Sequence, residues 1–147
     1  ILGVDIRKMH DLNRVFGYDP AHCLVSELMC CIRHQDGRTK DIVGQWGGDE
    51  FVVLTDVGAG AIVAQRLMDK AREITDRLPA DKRAEMLAQT GGLVDGLCVA
   101  IALVPYTTSP MRATQDAINE ANRLKEGRET GERSTSGAIG TRYAVLT

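Results

Sequence analysis

The chain has 147 residues, a formal net charge of −2 and a pI near 5.9, with 44% hydrophobic and 26% charged residues. That length and balance suit one globular domain over residues 1–147 with its own core, and they exclude a basic nucleic-acid surface. No apolar run approaches the length of a membrane span and no signal peptide is visible, so a cytoplasmic segment is expected, with upstream sequence left open because the chain begins at Ile1.

In chain order, Ile1-Leu2-Gly3-Val4-Asp5-Ile6 reads as a buried strand with an acid near its end. A carboxylate in an apolar run must be paired or must coordinate a metal. Arg7 to Pro20 is polar, with Gly17 and Asp19-Pro20 as breakers and a short helix around Met9 to Val15. From Ala21 to Arg33, the apolar positions Cys23, Leu24, Leu28, Cys31 and Ile32 recur at helical spacing. Strands near Asp41–Trp46 and Glu50–Thr55 then flank Gly47-Gly48, a pair that predicts a tight turn with glycine at positive φ. Taken alone, this is a hairpin with two solvated acids, Asp49 and Glu50.

An amphipathic helix is expected over Ala61–Leu78, and a second, shorter one over Ala80–Gln89. Gly91-Gly92 and Asp95-Gly96 are turn signals. The continuous apolar run Leu97 to Val104 predicts a strand buried on both faces or central in its sheet. Ser109-Pro110 opens a helix with Ala113, Ala117, Ile118, Ala121 and Leu124 as its inner face. Lys125 to Gly140 reads as a loop, and Tyr143 to Leu146 as a last strand. This order predicts an α+β fold of ferredoxin-like type, a mainly antiparallel central sheet flanked by helices on one face. If the first strand and the hairpin are adjacent, Asp5 meets Asp49 and Glu50 in a metal-binding palm.

Cys23, Cys30, Cys31 and Cys98 lack zinc-ribbon spacing and read as reduced, mostly buried thiols. Cys30 and His34 lie four apart, but two ligands do not make a metal site.

Three stretches in register resemble the GGDEF domain, the diguanylate cyclase family with a nucleotidyl cyclase palm. The signature stands intact as Gly47-Gly48-Asp49-Glu50-Phe51. Asp5, Asn13 and Gly17 keep the family's spacing after the first strand, and Arg38-Thr39-Lys40-Asp41 sits where the family places an inhibitory Arg-x-x-Asp. The resemblance covers residues 1 to about 75 well and the remainder by element order.

The resemblance implies condensation of two GTP molecules to cyclic di-GMP and two pyrophosphates, across a homodimer in which each copy holds one GTP. It implies two Mg²⁺ or Mn²⁺ ions per active site, held by Asp5, the Ile6 carbonyl, Asp49 and Glu50, with Asp49 and Glu50 as the catalytic acids. It assigns Asn13 and position 22 to the base, position 10 to phosphate, Gly47 and Gly48 to close phosphate approach, and Arg38 and Asp41 to product inhibition. Arg suits that last role because its planar fork grips phosphate or a guanine edge. The plainer reading of Arg38–Asp41 is a surface ion pair of little energetic worth.

The chain departs from the family pattern at His10 (Lys in the family), His22 (Asp) and Gln45 (Arg). A carboxylate accepts two hydrogen bonds from guanine N1–H and N2–H₂, whereas neutral imidazole accepts one. Adenine or mixed nucleotides therefore enter as alternatives to guanine. The late phosphate clamp falls on Asn122 and Glu126, or in a slipped alignment on Lys125, Gly127 and Arg128. Arg66 or Lys70 on the long helix are further candidates for the ligand sites. Two other functions stand beside the cyclase. One is a catalytically degenerate module that binds cyclic di-GMP or GTP. The other is a related cyclase with a different nucleotide choice, akin to palm polymerases that make cyclic oligonucleotides and carry Gly-Gly-Asp-Asp.

Overall fold

A computed structural model describes residues 1–33, 41–106, 109–125 and 142–145. The elements are β1 (Leu2–Arg7), α1 (Met9–Phe16), α2 (Tyr18–Arg33), β2 (Ile42–Gln45), β3 (Glu50–Leu54), α3 (Gly60–Asp76), α4 (Ala80–Gln89), β4 (Cys98–Leu103), α5 (Pro110–Lys125) and β5 (Arg142–Val145). They form an α+β fold around one sheet of order β2-β3-β1-β4-β5. β1 runs antiparallel to both β3 and β4, β2 antiparallel to β3, and β5 joins the far edge parallel to β4.

The sheet is covered on both faces, which corrects the expectation of helices on one face only. Leu2, Val4 and Ile6 of β1 pack into a large core with Leu12, Leu28, Leu67 and Ile101. Ile1 joins Ala113, Ala117 and Ile118 of α5 in a second cluster, and Ala100 and Ala102 of β4 meet Ala121 and Leu124 in a third. Strands as apolar as β1 and β4 need cover on both sides, and the period of two sends alternate residues to opposite layers. The α5 layer is made of small residues because that helix docks close. A Cβ at Gly3 would lie 2.3 Å from the Ala117 carbonyl oxygen. Backbone cannot yield as a side chain can, so Gly3→Ala is expected to destabilise the protein by about 1–3 kcal/mol in denaturant unfolding.

α2 starts at Tyr18, ahead of the expected start at Ala21. Pro20 falls in its first turn, where a backbone N–H has no helical partner to lose. The polar stretch from Arg7 to Pro20 is correspondingly helical over most of its length. The four cysteines are less buried than expected: Cys98 is buried and Cys31 half-buried, but Cys23 and Cys30 are exposed on α2. His34 and the loop expected after Lys125 lie outside the described residues.

Among the described residues, no helix is long and apolar enough to cross a membrane.

Candidate functional site

The hairpin tip is fastened to β1. Asp5 stands opposite Glu50 in the β1–β3 register, and the Ile6 N–H donates to the Asp49 carbonyl at 3.0 Å. Trp46 and Gly47 both donate their N–H to the Glu50 carbonyl, at 2.8 and 3.2 Å. The tip is therefore a loop over 46–49 between Gln45 and Glu50, one residue longer than the gap between the expected strands. Among the described glycines, positive φ occurs at Gly17, Gly58, Gly91 and Gly92, not at Gly47 or Gly48. A longer loop does not need the mirror-image turn that forces φ > 0. A Cβ at Gly47 would lie 2.7 Å from Glu50 Oε2, the far end of a side chain that can turn away, and nothing lies within 4 Å of one at Gly48.

Strand periodicity sets what surrounds Asp5. Gly3, Asp5 and Arg7 alternate along β1 toward the α5 layer, and both Asp5 (0% exposed) and Arg7 (4% exposed) are buried there. At the end of α5, the Lys125 ammonium lies 2.8 Å from Asp5 Oδ1 and 2.6 Å from Asp49 Oδ2. An Arg7 guanidinium nitrogen donates to the Lys125 carbonyl at 3.4 Å, a cation at the helix C-terminus where the last carbonyls lack helical partners. One turn earlier, Asn122 Nδ2 donates to Glu50 Oε1 at 2.6 Å.

Burial pushes the Asp5 carboxyl up to about 6, although Lys125 pulls it down, while Asp49 and Glu50 push it further up. Burial alone would lower the Lys125 ammonium, but Asp49 and Asp5 outweigh it and hold the group above the ordinary lysine range. The folded chain thus keeps the Asp5 proton to about pH 6, whereas the unfolded chain releases it near 3.8. Protons bound in the folded state make stability fall as pH rises through that window. In metal-free buffer, the wild type is expected to lose up to about 3 kcal/mol relative to Asp5→Asn between pH 4 and 7, read from urea unfolding at each pH.

Of the expected metal ligands, Asp5 and Asp49 come together with Lys125 between them. Glu50 engages Asn122. Among the described residues, no group of three or more His, Cys, Asp or Glu side chains is arranged to hold a metal ion. Two carboxylates plus phosphate oxygens nevertheless suffice for Mg²⁺, and neither Asp5 oxygen has a hydrogen-bond partner of good geometry. The donor set fits a divalent ion once the ammonium has moved.

A cleft of about 360 Å³ opens beside this pair, lined by Lys8, Met9, His10, Asp11, Asp49 and Lys125. It faces the start of α1, whose first intrahelical bond is Leu12 N–H to the Lys8 carbonyl. The N–H groups of the first turn are therefore available to an anion. Lys8 holds φ 55°, a left-handed conformation uncommon for a residue with a Cβ. His10 is exposed at this cleft. His22 and Gly48 line a different groove of about 250 Å³ together with Ser26 and Gln45. The His22 ring packs on Tyr18 with centroids 4.1 Å apart. Asn13 lines neither cavity; its backbone carbonyl accepts from Gly17 at 2.9 Å, and its side-chain oxygen is buried without a partner.

Asp41 accepts a hydrogen bond from Thr55 Oγ1 at 2.7 Å, and Arg38, its expected partner, lies outside the described residues. Lys70 pairs with Glu73 and Glu27 at 2.9 and 3.5 Å, so its contacts are with α2 and its own helix. Arg7, the contact of Asn122 with Glu50 and the bridging position of Lys125 were not anticipated. Arg7 could have been found from its parity with Asp5 along one strand.

No protein-family model matches this chain, and no curated protein matches it. Among solved structures, it is similar to the GGDEF domain of DgcB from Caulobacter crescentus in complex with c-di-GMP. The two share 16% sequence identity over 98% of this chain and 75% of that one, with a TM-score of 0.53. At that identity, the likeness shows the fold alone: an α+β sheet with helices arranged as in that domain.

Proposed function

We propose that this chain is a nucleotidyl cyclase of the diguanylate cyclase type, condensing two GTP to cyclic di-GMP and two pyrophosphates across a homodimer. The observation that carries this reading is the meeting of Asp5 and Asp49 around a cation on a GGDEF-type fold, at the edge of a cleft suited to phosphate. Asp5, the Ile6 carbonyl, Asp49 and Glu50 would hold two Mg²⁺ or Mn²⁺ ions, which supply activation of the attacking hydroxyl and neutralise the leaving pyrophosphate. The first-turn amides of α1, with His10 and Lys125, would bind and orient the triphosphate. Each 3′-hydroxyl oxygen bonds to the α-phosphorus of the other nucleotide. The bond from that phosphorus to the β-bridging oxygen breaks, pyrophosphate leaves with that electron pair, and the hydroxyl proton is released. Feedback by product at Arg38 and Asp41 belongs to the same proposal.

Incubation at high protein concentration with Mn²⁺ and each of the four nucleoside triphosphates tests it by mass spectrometry. Cyclic di-GMP from GTP, lost in Asp49→Asn, is the expected result. A product from another nucleotide would assign His22 a different base. Nucleotide or cyclic di-GMP binding without any product would favour a non-catalytic module, the second reading. The observation favouring that reading is that Lys125 already neutralises the acidic pair.

A further inference from the structure

The Asp5–Asp49 pair already holds a cation, and that cation belongs to the chain. Lys125 Nζ is within 2.8 Å of one carboxylate and 2.6 Å of the other, on the oxygens a bridging metal would need. Asp5 is fully buried, so it cannot be left both ionised and unaccompanied without a large desolvation cost. A divalent ion approaching these oxygens meets a like charge at contact distance and must displace it. The position is built: Arg7, itself buried, anchors the Lys125 backbone, and Ala121 and Leu124 in the turn before it are packed against β4. The lysine stem is flexible, its side chain is 29% exposed, and it lines the 360 Å³ cleft. The ammonium therefore has somewhere to go.

We propose that Lys125 is an internal counter-cation that competes with divalent metal for Asp5 and Asp49, keeping the pair closed until an anion in the cleft draws the ammonium away. This rests on the nucleotide and metal reading of the site. In the closed arrangement, Asp5 is neutralised without metal and the free protein takes up metal poorly. With phosphate in the cleft, the same ammonium gains a new partner and releases the carboxylates. Lys125 acts here as a positioning residue, through the acids it holds.

The test is Mn²⁺ binding to the nucleotide-free protein, followed by electron paramagnetic resonance and calorimetry, for wild type, Lys125→Met, Lys125→Arg and Asp5→Asn/Lys125→Met. Lys125→Met is expected to bind Mn²⁺ at least about tenfold more tightly than wild type, about 1.4 kcal/mol. Lys125→Arg should stay close to wild type, and the double variant should lose the gain. Measurable wild-type binding that Lys125→Met leaves unchanged or weakens would overturn the competitor role while leaving the metal site intact. No binding by either protein would remove both the competitor and the metal reading. Should Lys125→Met fail to fold, the wild-type Lys125 ammonium resonance decides. A signal that shifts when Mg²⁺ binds supports the exchange, and one that stays fixed while calorimetry records Mg²⁺ uptake overturns it.

Discussion

Asp5→Asn is expected to lower metal-dependent nucleotide condensation by at least about a hundredfold, because it removes the one fully buried carboxylate that a divalent ion would use. The same change should not unfold the protein. An amide keeps the size of the carboxylate and no longer needs a counter-charge in a site where burial already disfavours ionisation. Lys125 retains Asp49 as its partner at 2.6 Å. Loss of turnover together with unchanged or higher thermal stability is therefore the signature, measured as product formed per minute beside a melting curve. A parallel loss of both would mean that Asp5 serves the fold and not the chemistry.

Lys125→Met should have the opposite profile in the absence of metal. It leaves Asp5 buried without its cation and places Asp49 and Glu50 against it uncompensated. Breaking a buried pair costs about 3–5 kcal/mol, but Asp49 and Lys125 are roughly a third exposed, so about 2–3 kcal/mol is the expected destabilisation at pH 7. The double variant Asp5→Asn/Lys125→Met should recover most of that loss, because the charge left behind is gone. Urea unfolding of the four proteins closes a double-mutant cycle, and a coupling near zero would mean that the ion pair contributes nothing to the fold.

Much of this architecture was legible in the residues. The inner face of α5 follows from helical spacing of Ala113, Ala117, Ile118, Ala121 and Leu124, and all five are buried. α4 occupies the expected Ala80–Gln89 span. The continuous apolarity of Leu97 to Val104 correctly marked a strand covered on both faces, yet its implication for the layers was not drawn. If β4 is buried twice, one helix must lie on the far side, and α5, with its small residues, does. The helical start at Tyr18 is masked in the sequence by Pro20, which breaks a helix interior but costs nothing in a first turn.

The candidate site was legible only in part. Asp5 was identifiable because an acid in an apolar strand requires a partner, and the hairpin supplied Asp49. That Glu50 would also engage Asn122 depends on helix docking, which no local pattern encodes. Lys125 was ambiguous for a similar reason. It ends a helix whose continuation lies in a stretch rich in Gly, Ser and Thr, and its bridging position is set by Arg7, a residue 118 positions away in the chain. Asn13 and His22 were paired by the family resemblance, and they lie on consecutive helices, α1 and α2.

The most direct measurement is anomalous diffraction from crystals grown with Mn²⁺ and a non-hydrolysable GTP analogue. A manganese peak is expected about 2.1 Å from oxygens of Asp5 and Asp49, with the Lys125 ammonium withdrawn toward phosphate in the cleft. A nucleotide bound with no metal at these carboxylates, and Lys125 still bridging them, would contradict this arrangement.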